Sequence, residues 1–142
     1  MPRPQKGFTL LDHPADLGIE AYGNTLAEAF EQAALGLISI IVDVSKIEPR
    51  HSRIISIQGV DVEHLLVRWL EEILYLYDGE HFVGGCIHVS QVGSSRLQAV
   101  VHGEPFDPIR HETRMDVKAV TYHQLEVHQE QEKSWVRVFL DI

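Results

Sequence analysis

Two stretches of this sequence place their apolar residues at helical spacing, and most of what surrounds them alternates instead. Leu26, Phe30, Ala33, Leu37 and Ile41 recur at steps of four and three, which is one apolar face of a helix running to about Ile41. Val62, Leu65, Leu66, Trp69, Leu70, Ile73, Leu74 and Tyr77 form a second, wider face, with Glu63, Arg68, Glu71 and Glu72 on its wet side. A helix with one apolar face must bury it against another layer, and the remaining segments offer strands. The expected fold is therefore α+β: two main helices packed on a mostly antiparallel β-sheet, in a single compact domain over residues 1–142.

Local signals mark the ends of these elements. Thr25-x-x-Glu28 is a capping box, able to satisfy two orphan backbone N–H groups at a helix start. Asp61 can cap the second helix. Asp78-Gly79 ends it, with the glycine expected in the left-handed cap geometry. Residues 7–21 read as two short strands around the polar corner Asp12-His13-Pro14-Ala15-Asp16. Residues 53–59 read as another strand. Residues 87–90 and 97–100 flank Gly93-Ser94-Ser95, a hairpin signal. A second hairpin pairs residues 125–127 with 136–138 across the polar turn 129–133. Residues 43–50 and 103–111 read as loops, residues 116–122 as extended chain, and Gly84-Gly85 as a bulge or a close contact within a strand.

Composition narrows the function classes. The apolar share of 44% and charged share of 23% are those of an ordinary globular domain. A core of this size removes roughly two thirds of the unfolded surface from water. The single cysteine, Cys86, excludes an intramolecular disulfide and a Cys-based zinc site, and it reads as a small buried hydrophobe. Residues 1–7 lack the apolar run of a signal peptide, and nothing later is long enough to span a bilayer. The expectation is a cytoplasmic protein with no membrane contact. The formal charge of -9 disfavours direct RNA binding, which draws most of its affinity from cationic contacts to phosphate. It favours a metal ion or a protein partner.

No glycine-rich phosphate loop and no nucleophile elbow is present, and the nine histidines match no standard zinc spacing. His13 and His123 stand out because both lie in dense motifs. Three segments carry the remaining signal. Residues 12–19 form a polar corner, readable either as a capped turn or as a binding corner. Residues 139–142 end the sequence on an apolar strand, which sets the α-carboxylate of Ile142 beside the Asp141 carboxylate. This is either a docked strand end or a pair of hard anionic groups suited to calcium or magnesium. Residues 103–107, followed by 117–123, read as loop plus strand with an ionic pair among Glu104, Asp107 and Lys118, and name no reaction.

Taken together, Asp12-His13-Pro14-Ala15-Asp16-Leu17-Gly18-Ile19, Ala21-Tyr22-Gly23 and Leu26-Ala27-Glu28-Ala29-Phe30 resemble the opening of archease proteins. Gly103-Glu104-Pro105-Phe106-Asp107, Val117-Lys118-Ala119-Val120-Thr121-Tyr122-His123 and Leu140-Asp141-Ile142 resemble the rest of that family's pattern, in order and at family length. Pro14 stands where family members often carry Thr. The resemblance implies a non-catalytic activator of an RtcB-type RNA-splicing ligase, one that promotes ligase guanylylation and multiple turnover in tRNA splicing or RNA repair. RNA would be met only through the ligase. The resemblance also implies a metal site with calcium as cofactor, magnesium or manganese being the alternatives. Its ligands, carried over by motif, are Asp16, Asp141 and the terminal carboxylate of Ile142. His13 would orient Asp16, and Lys118 would contact a phosphate or an acidic residue of the partner. Two rival readings are a chaperone-like or RNA-modification helper without ligase specificity, and a metal-dependent hydrolase using Asp16 and Asp141. The hydrolase lacks a paired general base and nucleophile.

Overall fold

The structure, a computed structural model, describes residues 6–12 and 16–142. Strands β1 (Gly7–Asp12) and β2 (Asp16–Gly23) are followed by α1 (Leu26–Ile41), a 3-10 turn (Val44–Lys46), β3 (His51–Gln58) and α2 (Val62–Asp78). Then come β4 (Phe82–Val92), β5 (Arg96–Pro105), β6 (Ala119–Glu130) and β7 (Lys133–Asp141). All pairing is antiparallel, in two sheets: one of order β1-β2-β7-β6, the other of order β3-β5-β4. The expected two helices on antiparallel sheet are present, with the strands divided between two sheets.

The two helices form the middle of the molecule. Helix α1 lies against β1, β2 and β7 of one sheet and β4 of the other, while α2 lies against β6 and against β3, β4 and β5. Where α1 meets α2, the buried Trp69 indole N–H donates to the Phe30 carbonyl at 2.9 Å. That bond satisfies the polar edge of the largest core side chain. Ile19, Ala21, Val136, Val138 and Leu140 point from β2 and β7 onto α1's side and are buried. Their alternate neighbours, Asp16, Gly18, Glu20, Arg137, Phe139 and Asp141, therefore share the outer face of that sheet.

The caps explain the helix starts. Thr25 Oγ1 accepts from the Glu28 N–H at 3.1 Å, and the Glu28 carboxylate reaches back to the Asn24 N–H at 2.8 Å, one residue earlier than in the standard box. Asp61 accepts from the His64 N–H at 2.8 Å. Three expectations are corrected. Gly79 closes α2 in right-handed geometry (φ -94), and the left-handed residue is His81 (φ 54). A Cβ at 79 would lie 2.4 Å from the ring of Tyr75, which is 54% exposed and would have to swing aside. Residues 103–105 belong to β5 rather than to a loop, because Gly103 must pass under Val83 and Gly84, where a Cβ would meet the Val83 carbonyl oxygen at 1.9 Å. Cys86 is exposed, not buried. A register shift between Gly84 and Cys86, the expected bulge, turns its side chain outward opposite His102.

Candidate functional site

The start of β2 and the end of β7 meet at one corner of the four-stranded sheet. Asp16, the first residue of β2, is the direct cross-strand partner of Asp141, the last of β7. Opposite residues of an antiparallel pair project to one face with Cβ atoms about 4.5–5.5 Å apart, so the two carboxylates are neighbours. On its other side Asp141 faces Ala119, the first residue of β6, and its carbonyl accepts the Lys118 N–H at 2.7 Å. The corner thus gathers Asp16, Asp141, Ile142 and Lys118 from three segments far apart in sequence. Asp16 is half-buried, while Asp141, Ile142 and Lys118 are exposed. His13 lies outside the described residues.

The surface next to this pair on the same face is closely packed. Gly18 is one pleat along from Asp16 on the same face, opposite Phe139. A Cβ at Gly18 would lie 2.7 Å from the Phe139 ring, so glycine is what lets the ring lie flat against β2. Phe139 is only 4% exposed although it is on the outer face, and His123 packs edge-on against it with ring centroids 5.9 Å apart. His123 sits in an irregular part of β6. That strand advances from Thr121 to Glu126 while β7 moves only from Phe139 to Arg137, and Gln124 takes positive φ (50). The Thr121 hydroxyl stabilises the excursion by donating to the Phe139 carbonyl at 3.0 Å and accepting the His123 N–H at 3.2 Å.

The loop from β5 to β6 is anchored by a buried ionic cluster that the sequence pattern did not disclose. Glu104 is 3% exposed and His111 is fully buried. Glu104 accepts from the Glu48 N–H at 2.8 Å and from His111 Nε2 at 2.8 Å, and it pairs with the Arg110 guanidinium. His111 Nδ1 accepts the Asp107 N–H at 2.8 Å, which leaves Nε2 to carry the proton and donate to Glu104. Burial alone would raise the Glu104 pKa. The Glu48 N–H, then His111 and Arg110, hold it down to about 2. The expected pair of Glu104 or Asp107 with Lys118 is therefore not formed. Arg110 and His111 are the partners of Glu104, and the Asp107 carboxylate turns back onto the Ile109 N–H at 3.0 Å. Lys118 makes no ion pair among the described residues, and its side chain is exposed.

The sequence pattern of the Archease protein family (MTH1598/TM1083) matches residues 8–142. The chain belongs to the archease family. Among the archeases it resembles, that of Sulfurisphaera tokodaii is 42% identical over 84% of this chain and 87% of its own length. The archease of Methanosarcina acetivorans is 37% identical over the whole of both chains. The solution structure of Methanobacterium thermoautotrophicum protein 1598 is 34% identical and superposes with a TM-score of 0.80, covering 96% of this chain and 99% of that one. The crystal structure of a Thermotoga maritima archease, described as a possible chaperone, shares the fold at a TM-score of 0.64 and 18% identity, over 100% of this chain and 98% of that one. In this archease, then, the acidic corner is made from the second and the last strands of the matched region.

Proposed function

We propose that this archease is a non-catalytic activator of an RtcB-type RNA ligase, and that the Asp16–Asp141 corner is the part that acts on the ligase. The observation that carries the reading is the direct pairing of Asp16 with Asp141. Like charges placed opposite each other in a sheet cost stability, about 0.2–1 kcal/mol. A fold that keeps them there gains from a cation or a cationic partner group. Among the described residues no three His, Cys, Asp or Glu side chains already converge on one point. The donors at the corner are two carboxylates plus the main-chain oxygens of Ile142. This all-oxygen set fits calcium, with magnesium or manganese as substitutes, and leaves most of calcium's six to eight positions for water or a partner's oxygens. Calcium bound there would neutralise the corner and offer open coordination positions to another protein.

This chain's own residues do the rest. The Lys118 N–H fixes the Asp141 backbone, and its exposed ammonium is free to reach a phosphate or an acidic group on the ligase. His13, next to the corner in sequence, would orient Asp16. The protein would meet RNA only through the ligase, in keeping with its net charge of -9. No helix among the described residues is long and apolar enough to cross a membrane. The test is the rate of guanylylation of an RtcB-type ligase with and without this protein. Stimulation by the wild type, lost in Asp16→Asn and reduced in Lys118→Ala, supports the reading. Stimulation that survives Asp16→Asn and Asp141→Asn removes the corner from the mechanism. Protection of unrelated proteins from aggregation, with no effect on the ligase, would favour a chaperone-like helper, as the description of the Thermotoga relative suggests for that protein.

A further inference from the structure

The three-stranded sheet treats its two edges differently. Along β4 the Val89 N–H points outward and is taken by the buried Glu31 carboxylate of α1 at 2.8 Å, and two register shifts break the strand. Both are ways of closing a strand edge to further pairing. The other edge, β3, has neither. Its eight residues pair with β5 in unbroken register from His51↔Gly103 to Gln58↔Arg96. Its sequence, HSRIISIQ, holds one formally charged side chain, Arg53, and no proline. In the middle of its outer face stands Ile54, 84% exposed.

The hydrogen bonds around β3 fix which backbone groups face outward. One residue beyond the strand, the Gly59 N–H donates to the Ser95 carbonyl at 2.9 Å, continuing the β5 register. Bonded and non-bonded pairs alternate along an antiparallel ladder. Odd-numbered residues therefore bond to β5, and the N–H and C=O groups of Ser52, Ile54, Ser56 and Gln58 point away from it. Two arginines agree with this assignment. Arg53 Nη1 donates to the Ser52 carbonyl at 3.2 Å, and Arg68 Nη1 to the Gln58 carbonyl at 2.8 Å. These contacts cap the ends of the edge. Between them, Ile54 and Ser56 have no backbone, side-chain or loop partner for their outward groups among the described residues.

We propose that β3 is a strand-pairing surface and that its occupant is β3 of a second copy of this chain, antiparallel about a two-fold axis through Ile54. A two-fold perpendicular to the sheet must pair even residues with even ones, so that outward-pointing groups meet and both cores lie on the same side. With Ile54 on the axis, Ile54 faces Ile54 of the partner copy, Ser52 faces Ser56, and Arg53 faces Ile55. No like charges are opposed, and the exposed isoleucine is covered by its own equivalent. The result is one continuous six-stranded sheet. The pairing is far from the Asp16–Asp141 corner in the topology, because it uses the other sheet, so it does not depend on the proposed function.

The test is sedimentation equilibrium of the full chain across a concentration series, with amide hydrogen exchange on the same samples. The mass should rise from 16.1 kDa toward about twice that value, with slowed exchange at Ile54 and Ser56. Ile54→Lys places a charge on the axis, and Ser56→Pro removes an outward N–H without touching the β5 ladder. Both should stay monomeric while keeping the wild-type circular dichroism spectrum. Ile109→Lys, at a 95% exposed loop position, should associate like the wild type. A mass fixed at the monomer value up to millimolar concentration overturns the proposal, and so does association that persists in both β3 variants. A monomeric protein whose Ile54→Lys variant fails to stimulate the ligase also overturns it, and assigns the edge to a strand of the ligase instead.

Discussion

Replacing Glu104 by Gln should lower stability at neutral pH and have almost no effect in strong acid. The carboxylate is 3% exposed and is held by the Glu48 N–H, by His111 and by Arg110. Its pKa of about 2 against an ordinary 4.5 corresponds to about 3 kcal/mol of preference for the charged form in the fold. Arg110 is 36% exposed, so solvent screens part of its share and about 2 kcal/mol is the expected loss in Glu104→Gln. For a chain of this length that is a fall of about 6 °C in Tm. The depressed pKa sets the direction of the pH effect. The contribution is complete above pH 4.5 and is lost as pH falls toward 2, where Glu104 is protonated in folded and unfolded chains alike. Urea unfolding of both proteins at pH 7, 5 and 3 reads this directly, because other carboxylates cancel in the difference. A gap below about 0.5 kcal/mol at pH 7, or a gap that does not shrink between pH 5 and pH 3, would refute the reasoning.

The other predictions concern the corner and the core. Asp141→Asn should leave the metal-free protein as stable as wild type or up to about 1 kcal/mol more stable, because the cross-strand repulsion is relieved. The same substitution should abolish the rise in Tm on adding calcium, as seen by scanning calorimetry; an unchanged rise would put calcium elsewhere. Gly18→Ala drives a methyl to 2.7 Å from the Phe139 ring and should cost about 1–3 kcal/mol by denaturant unfolding. Trp69→Phe keeps most of the ring but loses the bond to the Phe30 carbonyl, about 1 kcal/mol by the same assay.

What the sequence disclosed and what it hid divide along physical lines. Both helices were legible because helical periodicity sustained over 16 and 17 residues, with capping residues at Thr25 and Asp61, leaves little alternative. Hairpins were legible from their turn residues. The handedness at Gly79 was not, because the left-handed residue comes two positions later, at His81, where no glycine marks it. The exposure of Cys86 was hidden because a bulge at Gly85 inverts the alternation that a regular strand would give. At the corner, Asp16 and Asp141 each stood out within their own segment. Their adjacency is a fact of strand register across more than a hundred residues, which no local pattern encodes. The Glu104–His111 cluster was missed because Lys118 looked like the natural cation for Glu104 in sequence, whereas the fold turns Arg110 and His111 back onto the end of β5. A fully buried histidine seven residues from a buried glutamate carries no motif.

The measurement that tests the central claim most directly is multiple-turnover RNA ligation by an RtcB-type ligase, with wild-type protein and with Asp141→Asn. The account predicts that the wild type raises the number of turnovers per ligase and that Asp141→Asn, folded to the same degree, does not. Equal stimulation by both proteins, or none by either, would contradict it.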